Sequence, residues 1–99
     1  MEKISEGLFL ISFVTELELL SYPHLTTTEE KVIRNFLNDI TIVDINPEIK
    51  LHTISLRTKY KLKLPDAIIA ATAMYKDAAL ITFDIQLKKV KEINMLIMK

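Results

Sequence analysis

Apolar positions along the chain come in two rhythms. "LFLISFV" (8–14), "ITIVDI" (40–45), "AALIT" (78–82) and "NMLIM" (94–98) are short, nearly continuous runs. They predict four strands, the first and third buried on both faces. Between them the apolar period lengthens. "TELELLSYP" predicts about two helical turns, stopped near Pro23. In "TTTEEKVIRNFLND", Val32, Ile33, Phe36, Leu37 and Ile40 form one stripe at helical spacing, and Thr27 with Glu30 has the spacing of a capping box. "NPEIKLHTISLRTKY" offers Asn46 as cap and Pro47 at the first helical position, with Ile49, Thr53, Leu56 and Tyr60 on one side. "PDAIIAATAMYKD" is apolar almost all round and predicts a deeply packed helix. "IQLKKVKEI" predicts a short amphipathic helix.

Strands that alternate with helices predict an α/β fold: a mostly parallel sheet in three layers, with helices on both faces. Ligands bind such sheets outside the carboxyl ends of the strands. Asp84 stands at one of those ends, just after "AALIT".

Composition narrows the picture. The 99 residues make one domain, 1–99, with a small core. An apolar content of 49% excludes a disordered chain. Thirteen Lys plus Arg against thirteen Asp plus Glu leave no global basic field, so any nucleic-acid binding rests on local patches. The absence of cysteine removes disulfides, zinc fingers and thiol nucleophiles, and fits a reducing cytoplasm. Gly7 is the only glycine, so neither a P-loop nor a dinucleotide fingerprint can be written. No serine has a G-x-S-x-G context. His24 and His52 lack metal-ligand spacing and read as surface residues. "LFLISFV" is too short to span a bilayer, and Glu2, Glu6 and Glu16 flank it with no cleavage site after it. The expectation is a cytoplasmic protein with no membrane partner.

The acids then need a reason. Asp66 follows Pro65 in a first helical turn, where the dipole favours a carboxylate by ~0.3–1 kcal/mol. It is either a cap or a group held in a cleft by a rigid helix. Asp84 carries the same two readings. Glu16 and Glu18 interrupt an apolar stretch; one can face solvent, and whichever points inward needs a partner, which a metal ion supplies. Lys59, Lys61 and Lys63 precede Asp66, and Lys88, Lys89 and Lys91 follow Asp84. These are either solvated faces or the surround a phosphodiester needs, with carboxylates at the centre and lysines on the phosphates.

"ISFVTELELL", "LKLPDAIIAATA" and "LITFD", in that order, resemble the PIN-domain family, most closely the toxins of VapBC-type toxin–antitoxin pairs. A Pro-Asp pair opening an Ala/Ile-rich helix, a strand ending in Thr-x-Asp, and Thr-x-x-Glu-Leu carry the resemblance, from about Gly7 onward. It implies a metal-dependent endoribonuclease that uses Mg²⁺ or Mn²⁺ to activate water against an RNA phosphodiester. By motif, Glu18 (over Glu16), Asp66 and Asp84 are the catalytic and metal-binding carboxylates. Thr82 is a polar neighbour, and Lys61, Lys63 and Lys88 are substrate contacts. RNA and an antitoxin protein are the implied partners.

Members of this family open with a strand ending in aspartate, in a context such as Leu-Asp-Thr-Asn, and a first helix. "MEKISEG" resembles the end of that helix region. The expectation is a PIN-like sheet lacking its first, central strand and a site lacking its first aspartate. That leaves unpaired backbone between "LFLISFV" and "ALITF". The gap closes by direct pairing, by a strand exchanged from another copy, or by dimerisation, so a homo-oligomer or a rearranged sheet is expected. Two further readings follow: a catalytically impaired remnant that binds an antitoxin or itself, and an unrelated α/β module whose three acids are all caps.

Overall fold

The computed structural model describes residues 9–76, 79–82, 85–91, 93 and 95–97. Four strands, β1 (Phe9–Ser12), β2 (Thr41–Val43), β3 (Ala79–Thr82) and β4 (Met95–Ile97), form one sheet in the order β2-β1-β3-β4. All three pairings are parallel. Helices α1 (Phe13–Leu20), α2 (Thr27–Asn38), α3 (Pro47–Tyr60) and α4 (Leu64–Lys76) connect them, with a short 3₁₀ segment at Ile85–Lys89.

Side chains alternate across a strand, and the core divides accordingly. Leu10, Val43 and Leu80 face α3 and α4, packing with Ile49, Leu56 and the Ala67–Ala73 stretch. Ile11 and Ile81 face the other way, onto Leu37 of α2 with Phe36, Ile33 and Leu20 around it. The sheet is therefore a middle layer, as the alternation of runs predicts. The α4 side is much the deeper: Ala67, Ile69, Ala70, Ala71, Thr72 and Ala73 are all buried, while α2 buries only Leu37.

Local chemistry moves several boundaries. "LFLISFV" splits after Ser12, whose extended backbone lets its Oγ accept from the Val14 N–H at 3.1 Å. A serine N-cap starts the helix inside the apolar run. The capping box uses Thr26 and Glu29, one residue earlier than expected. Three threonines before two glutamates allow both registers. Val32 belongs to the predicted stripe but is 63% exposed, because α2 meets the sheet along a narrower face. Asn46 caps α3 with Pro47 in its first turn, as expected. Of "IQLKKVKEI", Ile85–Lys89 forms a 3₁₀ segment rather than the start of an amphipathic α-helix.

The expected gap beside β1 is closed by direct pairing. Phe9 stands opposite Ala79 and Leu10 opposite Leu80, while the other edge of β1 pairs with β2. Both edges of β1 thus have strand partners, three of its residues along β2 and two along β3. Among the described residues, no helix is long and apolar enough to cross a membrane.

Candidate functional site

Three chain segments meet at the carboxyl end of the sheet for topological reasons. Helix α1 starts directly from the last residue of β1, so it rises from that end with Glu18 on its second turn. Only two residues separate α4 from β3. The helix must therefore run back along the strand and set its first turn, with Asp66, at the end where the strands finish. The 3₁₀ segment leaves the same end of β3 and carries Lys88 and Lys89.

There a pocket of about 470 Å³ is lined by Glu18, Lys61, Leu62, Lys63, Pro65, Asp66 and Lys89. Two carboxylates far apart in sequence share one cavity with three lysines. The α3–α4 connection places two of those lysines. Lys61 ends α3 in the left-handed region, φ 57° and ψ 40°, with its N–H donating to the Arg57 carbonyl at 2.9 Å. Leu62 is 5% exposed and joins the α3–α4 core. Burying the middle residue of Lys-Leu-Lys leaves both flanking lysines on the pocket side. Asp66 is half-buried in the first turn of α4, whose dipole favours its charge.

The remaining candidates fall elsewhere. Glu16 is half-buried and does not line this pocket, whereas Glu18 does. Thr82 ends β3 on the face toward α4, packed at 1% exposure. Lys88 is exposed, and its neighbour Lys89 lines the pocket instead. Three residues per turn in a 3₁₀ segment present a different lysine than an α-helix would. Asp84 lies outside the described residues. His24 is exposed; His52 is half-buried, 3.8 Å from Glu48 on the surface of α3.

Sequence reasoning gave no particular weight to Thr15. It is 3% exposed, and its Oγ1 has no hydrogen-bond partner. It lies three residues before Glu18, on the same side of α1. A hydroxyl inside the Thr-x-x-Glu spacing was the available signal.

Carboxylate oxygens are the donor class that Mg²⁺ and Mn²⁺ take. Among the described residues, no group of three or more His, Cys, Asp or Glu side chains comes together. Glu18 and Asp66 are of this donor class and line one pocket; two carboxylates suit a hard cation that keeps much of its shell as water. They do not build a full protein cage.

The sequence matches the PIN domain family over residues 1–93. No curated protein matches the chain. Among solved structures, a toxin–antitoxin complex from Klebsiella pneumoniae is 31% identical, with a TM-score of 0.71 over 91% of this chain and 73% of that one. VapBC-1 from nontypeable Haemophilus influenzae aligns at 18% identity and a TM-score of 0.75, covering 97% of this chain and 78% of that one. VapBC2 from Rickettsia felis, solved with a DNA fragment from its promoter, aligns at 22% identity and a TM-score of 0.70, covering 86% and 70%. The latter two share the fold. From the match along nearly its whole length and the 31% identical relative, the chain belongs to the PIN domain family.

Proposed function

We propose that the protein is a metal-dependent endoribonuclease and the toxin of a toxin–antitoxin pair. The observation that carries this reading is the shared pocket of Glu18 and Asp66, ringed by Lys61, Lys63 and Lys89. Carboxylates at the centre and lysines around them suit a divalent cation and the phosphates of an RNA backbone. A bound Mg²⁺ or Mn²⁺ supplies Lewis-acid polarisation of the phosphoryl oxygen and an acidified water. Glu18 and Asp66 would hold the cation, with Asp84 as the third carboxylate. The lysines bind non-bridging phosphate oxygens and set the scissile bond in line. The water oxygen would bond to phosphorus and give up one proton as the phosphorus–ester oxygen bond breaks, and the departing oxygen would take up a proton, leaving a phosphate monoester and a hydroxyl. Thr82, the last residue of β3, is the polar neighbour at the strand end in this reading, and Lys88 is a further substrate contact.

The partner in this reading is an antitoxin protein, as in the Klebsiella complex, and the protein self-associates in solution. A monodisperse monomer in sizing chromatography with light scattering would remove self-association. RNA cleavage in Mn²⁺, abolished by Asp66→Asn, tests the central proposal. Equal cleavage by the variant would assign the activity to a contaminant.

A second reading is a catalytically impaired PIN protein that binds an antitoxin or itself. Glu18 and Asp66 are the two carboxylates that line the pocket, and among the described residues no third acid joins them, which supports it. Calorimetric titration with Mn²⁺ separates the two. Binding that Glu18→Gln and Asp66→Asn each weaken supports the nuclease; no heat supports the impaired form.

A further inference from the structure

Lys61, Leu62 and Lys63 are the entire link between α3 and α4. Its geometry is demanding, because a non-glycine residue in the left-handed region costs roughly 1–2 kcal/mol. Such a conformation persists where its surroundings over-determine it. One residue supplies two of those restraints. The Arg57 carbonyl accepts from the Lys61 N–H at 2.9 Å, and the Arg57 Nε–H donates to the Leu62 carbonyl at 3.1 Å. The link thus folds back over the arginine it came from. The Lys63 carbonyl then accepts from the Ala67 N–H at 2.9 Å, which begins α4. Leu62 is anchored in the core on its side-chain face and by Arg57 on its carbonyl face.

We propose that Arg57 is a positioning residue of the pocket: by holding the Leu62 carbonyl, it fixes the Lys-Leu-Lys link so that Lys61 and Lys63 stand ready for phosphate. The bond to the link does not depend on what the pocket binds; the gain in phosphate affinity rests on the ribonuclease reading. Flexible lysines lose rotamer freedom when they bind, and a fixed backbone beneath them lowers that cost. The Arg57 charge is secondary, since its Nε is committed to the link.

Two substitutions separate the bond from the charge. Glutamine carries an N–H₂ donor at the side-chain position of the arginine Nε, without charge. Lysine keeps the charge and places a methylene there. Amide hydrogen exchange at Lys61 and Ala67 reads the link directly. Fluorescence anisotropy with a short single-stranded RNA, in Ca²⁺, reads the pocket. For Arg57→Lys we expect about tenfold faster exchange at both amides, the size of one charge-assisted hydrogen bond. RNA affinity should fall by about threefold to tenfold, with the salt slope unchanged because the charge count is unchanged. Arg57→Gln should stay near the parent in both. Lys63→Gln is the reference for a direct contact, lowering the salt slope by about 1.

The opposite order, with Gln damaging and Lys harmless, overturns the proposal and makes Arg57 a phosphate charge. Unchanged exchange in both variants overturns it as well. Equal damage in both, with a matching fall in melting temperature, reduces Arg57 to a structural residue. If the parent binds no RNA but the exchange pattern holds, the ribonuclease reading falls and the hold of Arg57 on the link stands.

Discussion

The α1–α2 connection, residues 21–26, and the α3–α4 connection, Lys61–Lys63, each hold one non-glycine residue at positive φ: His24 at 64° and Lys61 at 57°. The backbone device is shared, but the anchoring differs. In the second link Leu62 is buried and its carbonyl is held by Arg57. In the first, Leu25 is half-buried, and the restraint comes from the helix ends: Ser21 bonded back to Leu17, and the Thr26–Glu29 capping box. What each link displays differs too. The second displays lysines beside two carboxylates. The first, with α2, borders a 550 Å³ groove of Tyr22, Pro23, Leu25, Val32 and Ile33. A tight reversal is therefore neutral as to function; what it buries and what it leaves outside decide the chemistry.

The largest test of that contrast is chemical. Asp66→Asn should lower Mn²⁺-dependent RNA cleavage by about 10³-fold or more, because one metal-holding carboxylate is lost. The melting temperature reads separately what Asp66 contributes to the first turn of α4, where the dipole favours its charge by ~0.3–1 kcal/mol. Tyr22→Ser, in the apolar groove, should leave cleavage unchanged. Comparable losses in both variants would erase the distinction between the two links.

Next in size is the difference in anchoring. Leu62→Ala should destabilise the fold by about 2–4 kcal/mol in denaturant melts, as a buried leucine truncation does. Leu25→Ala should cost about 1 kcal/mol, in proportion to its partial burial. Similar values would mean that the α1–α2 link is held as firmly as the other.

A smaller effect falls on the helix-end restraint. Thr26→Ala removes one half of the capping box and should cost about 1 kcal/mol, unless Thr27 with Glu30 takes over. A cost near zero would show that the alternative register is available. Smallest of all, Lys61→Gly and His24→Gly should each stabilise by a few tenths to about 1 kcal/mol, left-handed strain relieved against the entropy of glycine. For Lys61→Gly, weaker RNA binding should accompany the gain, and His24→Gly should show no such loss.

Much of this was legible in the sequence, for physical reasons. The Asn46–Pro47 helix start has one reading, because a side-chain acceptor and a fixed φ coincide there. The apolar runs place the strands, and the short link between α4 and β3 forces Asp66 to the strand ends. Glu18 over Glu16 came from the family resemblance, and the fold puts Glu18 on the pocket. Other features follow from tertiary packing and not from pattern. Ser12 sits inside an apolar run, so periodicity hides the end of β1. Val32 has the right spacing but faces a groove. Lys88 and Lys89 are indistinguishable until the 3₁₀ geometry is known. Nothing in two largely apolar strands specifies that β1 and β3 are neighbours, and that pairing decides how the sheet closes.

Ser12 is the last residue of β1 and the cap of α1, so no spacer lies between sheet and helix. That junction works as a rigid coupling. A single residue inserted there would turn α1 by about 100° on its axis, swing Glu18 away from Asp66 and draw Val14 and Leu20 out of their packing against the sheet. An insertion among residues 22–24 would change a surface loop and leave the pocket in place. Tolerance of length change is thus divided sharply along the chain. The stretch from Phe9 to Glu18 behaves as one inflexible lever arm, and any engineered fusion, tag or circular break belongs in the α1–α2 connection instead.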